Sequence, residues 1–89
     1  MDLYVIKWHL NDFHGDILHY GIYNTAYHSM EEAELAKTTL LNNQEKNWIN
    51  HWGEDCVYKD ADKGVVGVYR FKTTPYYLFL EIINKRLIN

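Results

Sequence analysis

One segment holds the densest group of possible ligands in the chain. Residues 8–20, WHLNDFHGDILHY, contain His9, His14 and His19 together with Asp12 and Asp16. Imidazole and carboxylate groups bind Zn²⁺ or Ni²⁺, but a metal site needs three or four ligands at one point, and no cysteine or histidine pair here has zinc-finger spacing. We therefore keep a metal site as an alternative and expect neither a metal nor another cofactor.

A β-turn explains part of the same composition. Gly15 stands where a three-residue hairpin loop, Phe13-His14-Gly15, needs a residue with positive φ, and aspartates commonly flank such a turn. On each side of it, residues 3–10 and 17–24 alternate between apolar and polar in the way of a strand. The segment is therefore predicted to be a β-hairpin.

The register of this hairpin decides whether two of the histidines meet. Aligning the apolar faces of the strands gives the pairs Leu10 with Leu18, Trp8 with Tyr20 and Ile6 with Ile22. This register places His9 opposite His19, about 5 Å apart at Cβ, on the less apolar face. A small domain that binds a metal or another small ligand through this pair, assisted by Tyr23, is the alternative function.

A cysteine with a histidine nearby raises the question of an enzyme. Cys56 follows His51 by five residues, and an imidazole can activate a thiolate nucleophile. No oxyanion hole or base-orienting partner is recognisable, and a free cysteine commonly behaves as a small apolar residue. We expect that the protein is not an enzyme, that it has no catalytic residues, and that Cys56 begins a buried strand.

Composition narrows the classes of partner. The formal charge is −3, with 9 basic and 12 acidic residues, so the electrostatic attraction of a nucleic-acid-binding protein is missing. The 8 tyrosines could stack on bases, but no ribonucleoprotein-type motif accompanies them. The first residues, MDLYVIKWHLND, have neither a basic region nor an apolar core of a signal peptide. We expect a cytoplasmic protein with no nucleic-acid or membrane partner.

A helix is predicted to begin after Ser29. Ser29-Met30-Glu31-Glu32 is a capping box, in which the serine hydroxyl and the glutamate three residues later satisfy the first N–H groups. Gly53 suits the position after the last turn. Polar residues interrupt the apolar stripe of this segment, so the pattern is compatible with one long helix or with two helices that break near Asn42-Asn43. The apolar stripe consists of Met30, Ala33, Leu40, Leu41, Trp48 and Trp52.

The C-terminal half is predicted to contain a second hairpin and a second helix. Residues 56–59 and 65–73 are rich in β-forming residues, and the turn between them ends in Gly64. Thr74-Pro75 resembles a helix start, with Lys85 and Arg86 suited to its end, although residues 76–80 resemble a strand.

These elements predict one small α+β domain over residues 1–89. The order ββαββα forms a two-layer sandwich, a four-stranded antiparallel sheet with both helices on one face. The other face is left for a partner and carries Leu3, Val5, Lys7 and His9 beside Ile17, His19 and Tyr23. Trp48 and Trp52 form either a second hot spot or part of the core. The predicted partner-binding residues are Val5, Lys7, His9, His19, Tyr23, Trp48 and Trp52.

The leading functional hypothesis is a small non-enzymatic protein–protein interaction module. Its motivation is the surplus of apolar and aromatic residues in a short chain that shows no catalytic motif. The partner is another protein or a second copy of the chain. Size and an Asn-, Lys- and Ile-rich composition suit an accessory protein of a phage or mobile element that inhibits a host defence enzyme, such as a CRISPR nuclease.

Overall fold

The fold is α+β, with five strands in one antiparallel sheet and one α-helix. The computed structural model describes residues 2–12, 14–70 and 73–86. The elements are β1 (Asp2–Asn11), β2 (Ile17–Tyr27), α1 (Met30–Trp52), a 3₁₀ turn (Glu54–Cys56), β3 (Val57–Asp60), β4 (Val65–Arg70) and β5 (Thr73–Arg86). The strand order across the sheet is β2-β1-β5-β4-β3. The predicted class is confirmed, whereas the layout of four strands and two helices is wrong.

The segment predicted as a second helix is the central strand, β5. It pairs with β1 over ten residues, from Asp2 opposite Arg86 to Asn11 opposite Tyr77, and with β4 on its other side. Pro75 lies where the ladder with β4 shifts its register between Val68 and Arg70, a position that tolerates a missing N–H. Pairing on two sides therefore outweighs the local helix-start signal of Thr74-Pro75.

The helix α1 is a single rod of 23 residues with no break at Asn42-Asn43. The predicted capping box is confirmed at its serine, because Ser29 Oγ accepts a hydrogen bond from the Glu32 N–H at 3.1 Å. The helix ends as predicted, with the Gly53 N–H donating to the Ile49 carbonyl.

The core lies between α1 and one face of the sheet. Leu41 of the helix is buried against Ile6 of β1, and strands β4 and β5 complete the cluster with Val66, Leu78 and Leu80. Side chains alternate along a strand, so the residues on either side of Ile6 point away from the helix. No described helix covers that second face, which we call the open face.

The first hairpin has the predicted turn at His14 and Gly15, Phe13 lying outside the described residues, but it does not have the predicted register. Gly15 has φ +86°, and Asp12 Oδ1 accepts hydrogen bonds from the N–H groups of His14 and Asp16. Asn11 lies opposite Ile17 as expected. The next pair is Leu10 with His19, so that Leu18 has no counterpart on β1. This residue forms a β-bulge, which the sequence pattern did not indicate.

The bulge at Leu18 reverses the faces of the following residues. Trp8 lies opposite Gly21 and His9 opposite Tyr20, instead of the predicted pairing of Trp8 with Tyr20. A shift of one residue moves every side chain to the other face of a sheet. Tyr20 and Ile22 are therefore exposed on the open face, whereas they were predicted to face the core.

The second hairpin is present as predicted, but its second strand ends earlier than the predicted residue 73, which belongs to β5, and residues 71–72 lie outside the described residues. Its strands are β3 and β4, and Gly64 in the turn between them has φ +68°. Lys59 of β3 reaches the helix, where its Nζ lies 3.2 Å from Glu45 Oε1 and contacts Asn42 Oδ1 at 2.5 Å.

Among the described residues, no helix is long and apolar enough to cross a membrane.

Candidate functional site: an aromatic row on the open face

Aromatic side chains from four strands line up across the open face. His9 of β1 stacks on Phe79 of β5, with ring centroids 4.8 Å apart and planes inclined by 14°. Phe79 is 6.3 Å from the Tyr77 ring, and Tyr77 meets Tyr58 of β3 edge-on at 6.2 Å. On the other side of His9 the register places Tyr20 of β2. We call these five residues the aromatic row.

Strand β4 interrupts the row with a glycine that makes room for a ring. Gly67 lies opposite Tyr58 on one side and Tyr77 on the other. A Cβ at Gly67 would collide with Cε1 of the Tyr58 ring. The Tyr58 ring therefore lies over β4, and the aromatic surface continues from β3 to β5 across a strand that contributes no side chain there.

Strand β2 carries the most exposed apolar part of the open face. Tyr20 is 76% exposed, Ile17 is 58% exposed and Ile22 is 47% exposed. Four of the seven exposed large apolar side chains in the described part of the chain belong to this strand, the fourth being Leu18. Single apolar residues scattered over a protein surface need no explanation, whereas four in one strand form a concentrated apolar surface.

Charged groups of both signs lie on the open face. Lys7 of β1 lies opposite Glu81 of β5, and both side chains are exposed. Val5 and His9, the neighbours of Lys7 on the same face, are half-buried. Apolar and aromatic side chains surround Lys7 and Glu81. Lys85, opposite Leu3, and Asp60, opposite Val65, add one more group of each sign to the open face.

The other predicted site residues of β2 lie on the helix side. His19 is opposite Leu10, and Tyr23 packs against the core. Burial raises the pKa of the Tyr23 phenol above its ordinary value of 10.0. The cross-strand pair of His9 and His19 is therefore wrong, because the bulge sends the two imidazoles to opposite faces. This removes the geometry on which the metal alternative depended.

The two tryptophans of α1 have different surroundings. Trp48 packs against the core and lines a cavity of about 390 Å³ between helix and sheet, together with Trp8, Tyr23 and Gln44. Trp52 is half-buried, and the His51 ring meets it edge-on with a centroid separation of 4.7 Å. Both belong to the helix side of the sheet, so they form no continuous surface with Lys7 and His9 on the open face.

The remaining candidates for chemistry form no metal-binding group in the described part of the chain. Cys56 is half-buried at the end of the 3₁₀ turn rather than inside a buried strand. Among the residues that the structure describes, no three histidine, cysteine, aspartate or glutamate side chains are grouped so that they could hold a metal ion.

A shallow groove of about 370 Å³ adjoins the aromatic row near the first turn. Tyr58, Tyr77 and Phe79 line it, with Lys63 at its side and Asn11 in its wall. Asn11 Oδ1 is buried and accepts no hydrogen bond from any described residue. A buried acceptor without a donor is unusual, so a donor from water or from a ligand would satisfy it here.

Sequence reasoning missed most of the aromatic row. Tyr77 and Phe79 alternate with Leu78 and Leu80, which is the signature of a strand with two different faces. That signal was present but was outweighed by the helix-start pattern before it.

Comparison with models of known families, with curated proteins and with solved structures finds no match to this chain.

Proposed function

We propose that this chain is a non-enzymatic protein-binding module that receives another protein on its open face. The observation that supports the proposal is the aromatic row, which ends in a tyrosine that is 76% exposed. Tyrosine is enriched at protein interfaces, because its ring offers a large contact area at a low entropic cost and its hydroxyl tolerates water. The side chains of the row supply packing area rather than a nucleophile.

The partner surface is defined by the same residues. The row would take apolar side chains of the partner, and Lys7 and Glu81 would each face a partner group of opposite charge or a polar group. Inhibition of a host enzyme by a phage accessory protein is the narrower form of this proposal. It rests on composition and chain size alone.

Capture from a lysate of the cells that naturally express the chain tests the proposal. The bait is the full chain, compared with Tyr20→Lys and His9→Lys, both on the open face. Leu35→Lys is the matched control, because Leu35 is 71% exposed on the helix, away from the open face. We expect one specific protein to be retained by the parent chain and by the control, and to be reduced about tenfold or more by each open-face variant.

Two results would count against this proposal. The first is repeated recovery of no specific protein by the parent chain. The second is equal recovery by all four baits, which would place the contact elsewhere. Hydrogen exchange on the complex provides an independent measurement, since β1 and β2 amides should gain protection while those of α1 near Leu35 should not.

A small-molecule ligand is the second candidate function, favoured by the buried Asn11 Oδ1. A planar ring that packs against the Tyr58 and Tyr77 rings and directs an N–H at this oxygen, with an acidic group near Lys63, would match the groove. Fragment screening by NMR with indole and purine carboxylates tests it. Shifts at groove residues that vanish in Asn11→Leu would support the idea, and a screen without such shifts would end it.

A further inference from the structure

The outer edge of β2 has none of the charged side chains that usually protect an edge strand. This strand is the last in the sheet order, so its outer backbone groups face no other strand among the described residues. Its 11 residues, ILHYGIYNTAY, include no Asp, Glu, Lys, Arg or Pro. Free N–H and C=O groups along such a strand are a template for pairing with another chain.

The other free edges of the sheet are protected. Strand β3, at the opposite end, has only 4 residues and carries Lys59 and Asp60. Strand β5 has no described neighbour on one side beyond Leu80, and there it carries Glu81 and Lys85. Short length and charge are the usual devices against edge pairing. Strand β2 differs from both of these edges.

The two irregularities of β2 leave a regular stretch between them. The register shifts at Leu18 and again between Ile22 and Ala26, while His19 to Ile22 pair with β1 without interruption. A bulge distorts the edge locally and limits pairing. Strand addition is therefore most favourable at the stretch that contains Tyr20 and Ile22.

We propose that β2 pairs antiparallel with β2 of a second copy, which would join the two sheets into one of ten strands. In a two-fold dimer of this kind the axis runs perpendicular to the sheet, so opposed residues share a face. An axis at Gly21 sets Tyr20 of one protomer against the partner's Ile22, and the reverse. Aromatic with β-branched is a favourable cross-strand pair, formed twice.

Charge favours a second copy as the occupant. An uncharged strand is best matched by another uncharged strand, and β2 is the only one of the described strands without Asp, Glu, Lys or Arg.

This dimer goes beyond the binding proposed above and does not depend on it. It uses the backbone edge of β2 and leaves His9, Phe79 and Tyr77 uncovered. The two open faces would then lie side by side as one surface, doubling the area presented to a partner.

Sedimentation and cross-linking of the full chain test the proposal. The parent chain should show a concentration-dependent dimer in analytical ultracentrifugation, and Ile22→Lys should weaken dimerisation about tenfold or more, whereas Leu35→Lys should not. A Cys56→Ser background then allows register to be measured. A mixture of Tyr20→Cys and Ile22→Cys chains with different tags should form a mixed disulfide, because the two positions oppose each other.

A parent chain that stays monomeric up to roughly 1 mM would overturn the dimer. A dimer that Ile22→Lys leaves intact, or a mixture that cross-links no better than a Leu35→Cys mixture, would also overturn it. Each of these outcomes leaves the open-face proposal standing, since His9→Lys tests that surface separately. Conversely, a cross-linked dimer that captures no other protein contradicts the open-face proposal alone.

Discussion

The Gly64 carbonyl accepts a hydrogen bond from the Leu80 N–H at 2.7 Å, which ties the start of β4 to the central strand β5. A Cβ on Gly64 would lie 2.5 Å from the Leu80 carbonyl oxygen, and φ at this glycine is +68°. Both the backbone conformation and the close approach therefore require glycine at this position.

Gly64→Ala should lower the free energy of unfolding by about 3 kcal/mol, because left-handed strain and a backbone collision add together. Gly15→Ala is the matched control. Gly15 also has positive φ, +86°, but nothing lies within 4 Å of its Cβ position, so strain alone should cost about 1 kcal/mol. Chemical denaturation of the two variants measures the difference, and equal losses would contradict the close approach at Gly64.

Two leucines of α1 provide a second matched comparison. Leu41 is 1% exposed in the core, and Leu35 is 71% exposed on the same helix. Leu41→Ala should lower the free energy of unfolding by roughly 2–5 kcal/mol, because apolar burial is lost and a cavity forms. Leu35→Ala should change the free energy of unfolding by less than about 0.5 kcal/mol. A similar loss in both variants would mean that α1 packs by another face.

Asn11→Leu should stabilise the protein. The substitution removes a buried oxygen that accepts no hydrogen bond from the described residues, while keeping the number of side-chain heavy atoms and their branching. We expect the free energy of unfolding to rise by about 1 kcal/mol, measured in urea. Asn43→Leu, at an exposed helix position, is the control and should have little effect. A loss of stability in Asn11→Leu would show that Asn11 has a partner, such as bound water.

Tyr23 should make stability fall at alkaline pH. Its folded-state pKa is raised by burial, so the folded protein resists ionisation that the unfolded chain undergoes freely. The contribution is fully present below pH 10.0 and is lost as the pH rises through the folded-state pKa. Tyr23→Phe should show a smaller decline in thermal stability over that range. Parallel declines in the two proteins would assign the effect to other groups.

Local sequence determined the features that depend on neighbours in the chain. The Ser29 hydroxyl needs only the backbone three residues ahead to cap α1, and Gly15 and Gly64 supply the positive φ of their turns. The alternation in β3 and β4 likewise sufficed for the second hairpin. These predictions held because each rests on interactions within a few residues.

Only tertiary structure decided the faces of β2. Both of its side-chain sets, Tyr20 with Ile22 and His19 with Tyr23, contain aromatic or apolar groups, so the pattern favoured neither strongly. The bulge at Leu18 selected Tyr23 for the core, which exposed Tyr20 and separated His19 from His9.

Long-range contacts also determined the secondary structure of the final segment. Residues 73–86 carry both a helix-start signal and the alternation of a strand. Packing against α1 and pairing with β1 and β4 favour the strand. Leu78 and Leu80 are buried against α1, while the backbone of β5 pairs with β1 on one side and β4 on the other. Local sequence therefore determined where turns and the helix begin, whereas the pairing of distant strands determined which side chains form the open face.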